Sequence, residues 1–209
     1  MDEELGSVFD PYVNRLAEAR KITRSKAYSE LKRNYDGYHF TEEAPGMYNP
    51  FSLLNALHKR SFGSYWFETG TPSYLVELLK RHDFKLKELN GIEVKSSVLN
   101  SIDASSTNPV PVIFQSGYLT IKGYKPRVKL YKLDFPNEEV KEGFLFYLLP
   151  FYTSVSENDT GFHIDCFVNE VESGQIGAFI DRLKIFFANV PYDLIKDTEN
   201  HYQNVLFIL

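Results

Sequence analysis

Helix-start signals recur through the first ninety residues and divide that stretch into short segments. Three places pair a capping side chain with a proline, the residue that best fits the first position of a helix: Asp10-Pro11, Asn49-Pro50 and Thr71-Pro72. Thr23 supplies a cap without proline, and apolar residues follow each signal at helical spacing. Asp36-Gly37 ends the second segment, because glycine tolerates the backbone that helix termination needs. We therefore expect residues 1 to 90 to be helical.

The spacing of apolar residues changes between residues 91 and 135. Pro109 opens an apolar helix that stops at Gly117, and from Tyr118 the apolar residues alternate as they do in a strand. Turn-forming residues follow at 122–127, and alternation then resumes. A helix that ends in glycine and leads directly into a hairpin is typical of a winged-helix module. We predict such a module here.

Residues 136 to 209 return to helical spacing. Asn137 caps a helix whose first turn holds Glu138 and Glu139, where the helix dipole favours negative charge. A pair of helices with a short connection follows, and a last helix begins near Thr198. We expect this last helix to present one apolar face, formed by Tyr202, Val205, Leu206 and Leu209. The fold class is therefore predicted as mainly α with a small β-hairpin (α+β).

Composition limits the class of protein. The chain has 209 residues, of which 43% are hydrophobic, which is enough for a globular core. Its net charge of -5 argues against a general nucleic-acid binder. The single cysteine, Cys166, excludes internal disulfides and four-cysteine zinc sites. The beginning of the chain does not read as a signal peptide, and its apolar runs are too short for a membrane span, so we expect a cytoplasmic protein with no membrane partner.

The stretch from residue 31 to 76 is dense in aromatic residues, glycine and proline pairs. It contains the runs Tyr35-Asp36-Gly37-Tyr38-His39-Phe40, Tyr48-Asn49-Pro50-Phe51-Ser52 and Tyr65-Trp66-Phe67-Glu68-Thr69-Gly70-Thr71. Further strings lie at 115–124, at Phe135-Pro136-Asn137-Glu138-Glu139-Val140 and at His201-Tyr202-Gln203-Asn204. Together they resemble the AAA-ATPase-like proteins of Bacteroidetes, in which an ATPase region comes first and a PD-(D/E)xK nuclease-like domain comes last.

The resemblance implies a division of the chain into three parts. Residues 1–90 close the ATPase-like region as a helical lid, 91–135 form a winged-helix-like subdomain, and 136–209 form a helical connector that enters the nuclease-like domain. The partners would then be the rest of the parent polypeptide. We expect the chain to be the middle of a longer protein.

The motifs of catalysis in that family are not found in this sequence. A P-loop would end in Gly-Lys-Ser/Thr, and that string does not occur. A strand that ends in Asp and is followed, after a turn, by a strand with Glu-x-Lys is not recognised either. We expect this chain to be non-catalytic and to hold no cofactor, with ATP and magnesium expected only for the parent protein. Glu199 lies on the helix that contributes a glutamate in PD-(D/E)xK folds, but it would need the missing strands to act.

The aromatic motifs have two interpretations. Polar Asp36 and His39 among aromatic rings could line a ligand pocket. The preferred interpretation is structural, since Asp and Gly suit a tight turn and the rings bury apolar area. It applies to seven motif residues: Tyr35, Asp36, Gly37, Tyr38, Asn49, Pro50 and Trp66.

The hairpin offers the best candidate for a binding surface. Five cations and no acid lie between Leu119 and the residue before Leu133: Lys122, Lys125, Arg127, Lys129 and Lys132. Cations of a wing can neutralise DNA phosphates, which makes a nucleic-acid-binding module the alternative function. Lysines on a short hairpin also discourage edge-to-edge pairing, and this second interpretation stays open. The apolar helix before the hairpin offers only Gln115 and Ser116 to a base edge, so sequence-specific recognition is not expected.

Two other features carry less. The run His163-Ile164-Asp165-Cys166 contains side chains that bind metals, but its spacing does not bring three ligands together, and no metal site is predicted. The apolar face expected on the last helix could support a dimer if its natural partner surface lay elsewhere in the parent.

Overall fold

The computed structural model describes residues 2–69, 73–99, 108–156, 158–188 and 198–209. Within them the protein is mainly α-helical with one small antiparallel sheet, which confirms the predicted fold class. The helices are α1 (Asp2–Ser7), α2 (Asp10–Arg20), α3 (Arg24–Tyr35), α4 (Pro50–Lys59), α5 (Ser73–Arg81), α6 (Ser96–Leu99), α7 (Val110–Gln115), α8 (Glu138–Tyr152), α9 (Thr160–Glu172), α10 (Ile176–Ala188) and α11 (Thr198–Ile208). The strands are β1 (Ile92–Lys95), β2 (Thr120–Lys125) and β3 (Leu130–Asp134), and short 3-10 helices span Tyr65–Thr69 and Leu86–Leu89.

The chain forms two compact units. Unit one comprises Met1–Ser73 with Leu89–Gly143, and unit two comprises Tyr74–Glu88 with Phe144–Leu209. These boundaries differ from the three functional segments expected from the sequence, and those segments stay a prediction. No helix in the part of the chain that the structure describes is long and apolar enough to cross a membrane.

The helical part of unit one follows from the predicted caps. The Thr23 hydroxyl accepts a hydrogen bond from the Lys26 amide, and the Asn49 side chain accepts from the amides of Phe51 and Ser52. Both caps are therefore confirmed. The apolar faces behind these caps meet in one core of buried residues: Val13, Leu16, Ala17, Ala27, Leu31, Tyr35, Leu53, Ala56 and Leu57.

The prediction for Asp10 is wrong. Phe9 occupies the cap position of α2, and Asp10 is the first helical residue. Its carboxylate instead accepts hydrogen bonds from the Arg24 guanidinium and from the Tyr28 hydroxyl, which join α2 to α3. These hydrogen bonds lower the pKa of Asp10, with that from Arg24 the largest cause. The Thr71-Pro72 signal lies outside the described residues.

The sheet of unit one has three strands rather than two. Strand order is β1-β3-β2, and both pairs are antiparallel. Along the chain β1 comes first, then α6 and α7, then the β2–β3 hairpin. The predicted helix and hairpin are thus confirmed, and β1 was missed. The register of β2 shifts between Ile121 and Gly123, which leaves Lys122 as the extra residue of a bulge.

Unit two is helical. Its core includes Phe144, Leu148, Leu149 and Tyr152 of α8, Phe167 of α9 and Phe186 of α10, all buried. Gly174, with φ of +71°, lies in the short connection between α9 and α10. The two helices contact each other, which confirms the predicted helix pair.

The apolar face predicted for α11 is wrong in part. Val205 is buried, but Tyr202 and Leu206 are exposed, and Leu209 lies just past the helix. The buried side is instead largely polar and includes Asn200, His201 and Asn204. The Asn204 side-chain oxygen accepts a hydrogen bond from the Leu86 amide (2.8 Å), and its nitrogen donates one to the Phe84 carbonyl (2.9 Å). These paired hydrogen bonds explain why a polar residue is buried there.

Candidate functional site

The aromatic motifs of the sequence meet at one place in unit one, called here the motif junction. It comprises residues 35–39, Trp66, Thr120, Lys122 and residues 136–139. The His39 amide donates a hydrogen bond to the Thr120 hydroxyl (2.7 Å), which in turn donates to the His39 carbonyl (2.8 Å). This pair of hydrogen bonds fastens the Tyr35–Phe40 motif to strand β2.

Lys122 holds the same motif from the bulge in β2. Its Nζ donates hydrogen bonds to the carbonyl oxygens of Gly37 (2.9 Å) and Pro136 (2.8 Å). The two carbonyls belong to different sequence motifs, so one ammonium group links both. Burial lowers the pKa of Lys122, while the charges of Asp134 and Asp36 oppose that shift.

Gly37 makes this close approach feasible. Its φ is +107°, and a Cβ at this position would lie 2.2 Å from the Pro136 oxygen and 2.8 Å from Lys122 Nζ. Only glycine adopts this backbone without strain and leaves room for the carbonyl. Backbone packing therefore explains why glycine occupies position 37.

Glu139 is a second charged residue at the motif junction, and it is buried. Its side chain is 2% exposed, and one carboxylate oxygen accepts a hydrogen bond from the Trp66 amide (3.0 Å). The Asn137 side chain accepts one from the Val140 amide (3.1 Å), which confirms the predicted cap of α8. Sequence reasoning placed Glu138 and Glu139 together in the first turn of α8 and did not predict that Glu139 is buried. Its neighbour Glu138 is more exposed, and no local pattern separates the two acids.

Tyr35 is buried and Tyr38 is half-buried, and the charge of Glu139 acts on both. Burial is the main cause that raises the pKa of Tyr35, and the Glu139 charge raises it further. The pKa of Tyr38 is raised for the same two reasons. The Tyr35 hydroxyl also donates a hydrogen bond to the Gly63 carbonyl (3.1 Å) and accepts one from the Gly63 amide (3.0 Å). Both hydroxyls therefore stay protonated at neutral pH, which suits anchors better than acid–base catalysts.

Trp66 completes the motif junction with an aromatic cluster. Its ring lies edge-on to Phe67, with 5.2 Å between centroids, and to Tyr118, with 4.8 Å. Gly143 of α8 faces the Phe67 ring, because a Cβ on Gly143 would lie 2.4 Å from a ring carbon. The cluster thus seats the first two turns of α8 closely in unit one.

The five cations of the hairpin do not form one free surface. Lys122 is bound at the motif junction, as described above. Lys125 forms an ion pair with Glu93 of β1. Arg127 and Lys129 lie in the exposed turn between β2 and β3, and Lys132 is exposed on β3. The candidate surface is therefore smaller than the sequence count suggested.

Strand register adds a cation that sequence reasoning missed. Lys95 and Lys125 both pair with Leu130, and Glu93 and Gly123 both pair with Lys132. Because side chains alternate along a strand, these partners share the face of the sheet opposite buried Leu133. We call this surface, together with the adjoining turn, the basic sheet face. It consists of Lys95, Lys125, Lys132, Arg127, Lys129 and the single acid Glu93.

The helix that precedes the hairpin is poorly placed to read bases. Val110, Pro111 and Ile113 of α7 are buried, so one side of the helix is used by the core. The Gln115 side chain donates a hydrogen bond to the Leu99 carbonyl (3.1 Å). Gln115, one of the two polar side chains that could have reached a base edge, is therefore already hydrogen-bonded within the protein.

Strand β1 also carries a Glu-x-Lys string, Glu93-Val94-Lys95, that sequence reasoning did not place on a strand. Glu93 is the partner of Lys125. Among the described residues, His, Cys, Asp and Glu form no group of three or more that could hold a metal ion.

Comparison with known proteins gives one informative match. The chain is 34% identical over 192 residues to an uncharacterized protein in the vnfD 5' region of Azotobacter chroococcum mcd 1. The match covers 85% of this chain but 35% of the relative, so the chain spans about a third of that protein's length. No family model matches the chain. No solved structure matches it either.

Proposed function

We propose that this chain is a non-catalytic connecting segment of a longer protein that joins an AAA-ATPase-like region to a PD-(D/E)xK nuclease-like region. In this proposal residues 1–90 are a helical lid, 91–135 a winged-helix-like subdomain and 136–209 a helical connector. Its partners are the other regions of the parent polypeptide, which supply any ATP and magnesium chemistry. The protein acts in the cytoplasm, and the segment transmits the nucleotide state of one region to the other.

The observation that carries this proposal is the sharing of helix α8 between the two units. Its first turns belong to unit one, where Asn137 caps it, Glu139 binds the Trp66 amide and Gly143 packs on Phe67. Its later turns belong to unit two, where Phe144, Leu148 and Leu149 are fully buried. The interior proline of α8, Pro150, lies in its last turn, after the boundary between the units and after these buried residues. The part of α8 before Pro150 can transmit a displacement from one end to the other, because its backbone hydrogen bonds resist bending.

Two further observations support the proposal. The order of elements in unit one, strand, two helices and hairpin with a β1-β3-β2 sheet, is the order expected of a winged-helix module. The match to 35% of a longer relative supports a segment of a longer protein.

The direct test is a turnover assay on the purified chain. With magnesium present, we expect no ATP hydrolysis above a buffer blank and no cleavage of single- or double-stranded DNA. A Glu93→Gln variant distinguishes the chain's own activity from that of a contaminant, because a contaminant's activity would not respond to the substitution. Glu93 is chosen because it belongs to the only Glu-x-Lys string on a described strand. Magnesium-dependent turnover that Glu93→Gln abolishes would reject the non-catalytic proposal.

A second candidate function, contact with a nucleic-acid backbone, rests on the basic sheet face. Five cations and one acid give this surface a net positive charge inside a chain of net charge -5. Lys95, Arg127 and Lys132 form no ion pair within the described part of the chain. Such a surface suits phosphates without sequence preference, since α7 does not present base-reading side chains.

Fluorescence anisotropy with a labelled duplex at several salt concentrations tests this second candidate. Each phosphate contact contributes about 0.9 to the slope of log affinity against log salt. The variant Arg127→Gln/Lys129→Gln/Lys132→Gln should therefore lower that slope by about 2 to 3. The charge-matched control Arg20→Gln/Arg81→Gln/Lys85→Gln should leave it unchanged. Equal effects of the two variants, or affinity that does not respond to salt, would remove this candidate.

A further inference from the structure

A groove on the helical part of unit one is not used by the motif junction or by the basic sheet face. Its volume is about 560 Å³, and side chains from the start of α2 and from α4 line it. Leu57, which is buried, forms part of its floor. Its walls include Val8, Tyr12 and Leu54, which are 62%, 49% and 50% exposed. Large apolar side chains that converge on one concave surface indicate a binding site more strongly than scattered ones do.

The apolar surface continues beyond the groove along α4. Phe51 lies one turn before Leu54 and is 46% exposed. Phe51, Leu54 and His58 have the spacing i, i+3 and i+7, which places them along one side of the helix. The exposed apolar surface is therefore elongated, as required for an extended or helical ligand rather than a compact one.

The charged side chains at the groove have one sign. Arg15 and Arg60 line it, and no carboxylate does so among the described residues. The Arg15 guanidinium lies 5.7 Å from the centroid of the Tyr12 ring, which orients its charge beside the apolar wall. Neither Arg15 nor Arg60 is ion-paired within the described ranges. The groove thus presents an apolar floor between unneutralised cations.

We propose that this groove docks an acidic amphipathic helix of a partner polypeptide. Apolar anchors at i, i+3 or i+4, and i+7 of the partner fill the space between Tyr12 and Leu54, and flanking carboxylates meet Arg15 and Arg60. A second copy of this chain fits poorly, because like surfaces would bring the same arginines together without neutralising them. This inference stands independently of the connecting role proposed above.

Selection from a phage-displayed library of capped helical peptides, panned against the full chain, tests the proposal. The enriched peptides should combine apolar residues at helical spacing with flanking Asp or Glu. The dissociation constant of the best synthetic peptide should rise at least about tenfold for Arg15→Glu/Arg60→Glu and for Leu54→Glu, because contacts at the groove are lost or made repulsive. Arg20→Glu, on the same helix α2 but not in the groove, should change it by less than about twofold.

Several outcomes would overturn the proposal. These are failure to enrich any peptide, enrichment of basic or uncharged peptides, and binding that the groove variants do not weaken. Sedimentation that reveals a dimer dissociated by Leu54→Glu would assign the groove to a second copy instead. Decanoate is a single-chain anionic amphiphile. If decanoate shifts the NMR signals of groove residues while no peptide is enriched, the groove would be assigned to small anions instead. Circular dichroism of each variant verifies that the fold is retained.

Discussion

Gly37→Ala tests the account of the motif junction at a single atom. The added Cβ would lie 2.2 Å from the Pro136 oxygen and 2.8 Å from Lys122 Nζ, both well inside van der Waals contact. Its φ of +107° is also strained for any residue with a Cβ. The backbone oxygen cannot move aside without stretching its hydrogen bond from Lys122. Both the strain and this hydrogen bond therefore contribute to the cost.

The expected loss of stability follows from these two terms. Backbone strain of this kind costs about 1 to 3 kcal/mol. A hydrogen bond to a charged group contributes roughly 1.5 to 3 kcal/mol. We therefore expect the free energy of unfolding of unit one to fall by about 2.5 to 6 kcal/mol, which is a large part of the total for a typical domain.

Tryptophan fluorescence in a urea titration reports the unfolding of unit one. The chain has one tryptophan, Trp66, and it lies in unit one beside Tyr118 and Phe67. With a slope of about 2 kcal/mol per molar urea, the midpoint should fall by roughly 2 M. Separate measurement of unit one matters because a chain of two units need not unfold in one step.

Two other glycines provide graded controls. A Cβ on Gly123 would meet no atom within 4 Å, so Gly123→Ala should change the midpoint little. Gly117 has φ of +81°, but a Cβ there would lie 3.7 Å from the Trp66 ring, so Gly117→Ala carries mainly the backbone cost of about 1 to 2 kcal/mol. If Gly37→Ala were no more destabilising than Gly123→Ala, the close approach of Gly37, Pro136 and Lys122 would be refuted.

Three further predictions concern the packing of α8 and α11. Gly143→Ala should destabilise unit one by about 1 to 3 kcal/mol, despite alanine's helix propensity, because its Cβ would lie 2.4 Å from the Phe67 ring; an unchanged urea midpoint of Trp66 fluorescence would contradict this. Asn204→Ala should destabilise unit two by about 2 to 4 kcal/mol, because it leaves the Leu86 amide and the Phe84 carbonyl without their side-chain partner. Equal rates of hydrogen exchange at the α11 amides of variant and wild type would argue against those hydrogen bonds. Burial, and then the Lys80 charge, lower the pKa of His201 below its ordinary 6.5, so the unfolded chain binds the proton more tightly than the folded chain. Unit two should therefore lose stability as pH falls through 6.5 and below. Hydrogen exchange of α11 should show this loss, and His201→Gln should reduce it.

Local chemistry in the sequence predicted much of the fold. Thr23, Asn49 and Asn137 cap helices because each side chain binds an amide two or three residues ahead, which is a contact encoded within one turn. Gly37 and Gly117 adopt positive φ where the sequence predicted that a helix ends. Periodicity gave the helical segments and the hairpin for the same reason, since it depends on neighbours along the chain.

Contacts between distant residues account for what was missed. Strand β1 has four residues, too few to show alternation, and it exists because it pairs with β3 much later in the chain. Lys122 resembles any other hairpin lysine until the bulge turns it toward Gly37 and Pro136. Asp10 follows the pattern of a helix cap, but hydrogen bonds from the next helix compete for its carboxylate. The burial of Asn204 was not predicted, because its backbone partners lie far from it in sequence.

The candidate binding surfaces were predictable only in part. A count of hairpin cations pointed to the strand region, but it could not tell which charges are already neutralised. In the structure Lys122 is bound to the Gly37 carbonyl and Lys125 is paired with Glu93. The register of β1 places Lys95 on the same surface. The groove beside α2 and α4 was not predicted at all, because its apolar walls follow the same helical spacing as core residues.

The proposed coupling of the two units by α8 is tested most directly by hydrogen exchange across the described residues in the Gly37→Ala variant. The substitution lies in unit one, and the amides to follow are those of α8 from Phe144 onward and those of α11 in unit two. If α8 couples the units, exchange is faster in both places, because loosening the start of α8 weakens the packing of its later turns. Faster exchange confined to unit one, with unit two indistinguishable from wild type, would contradict it.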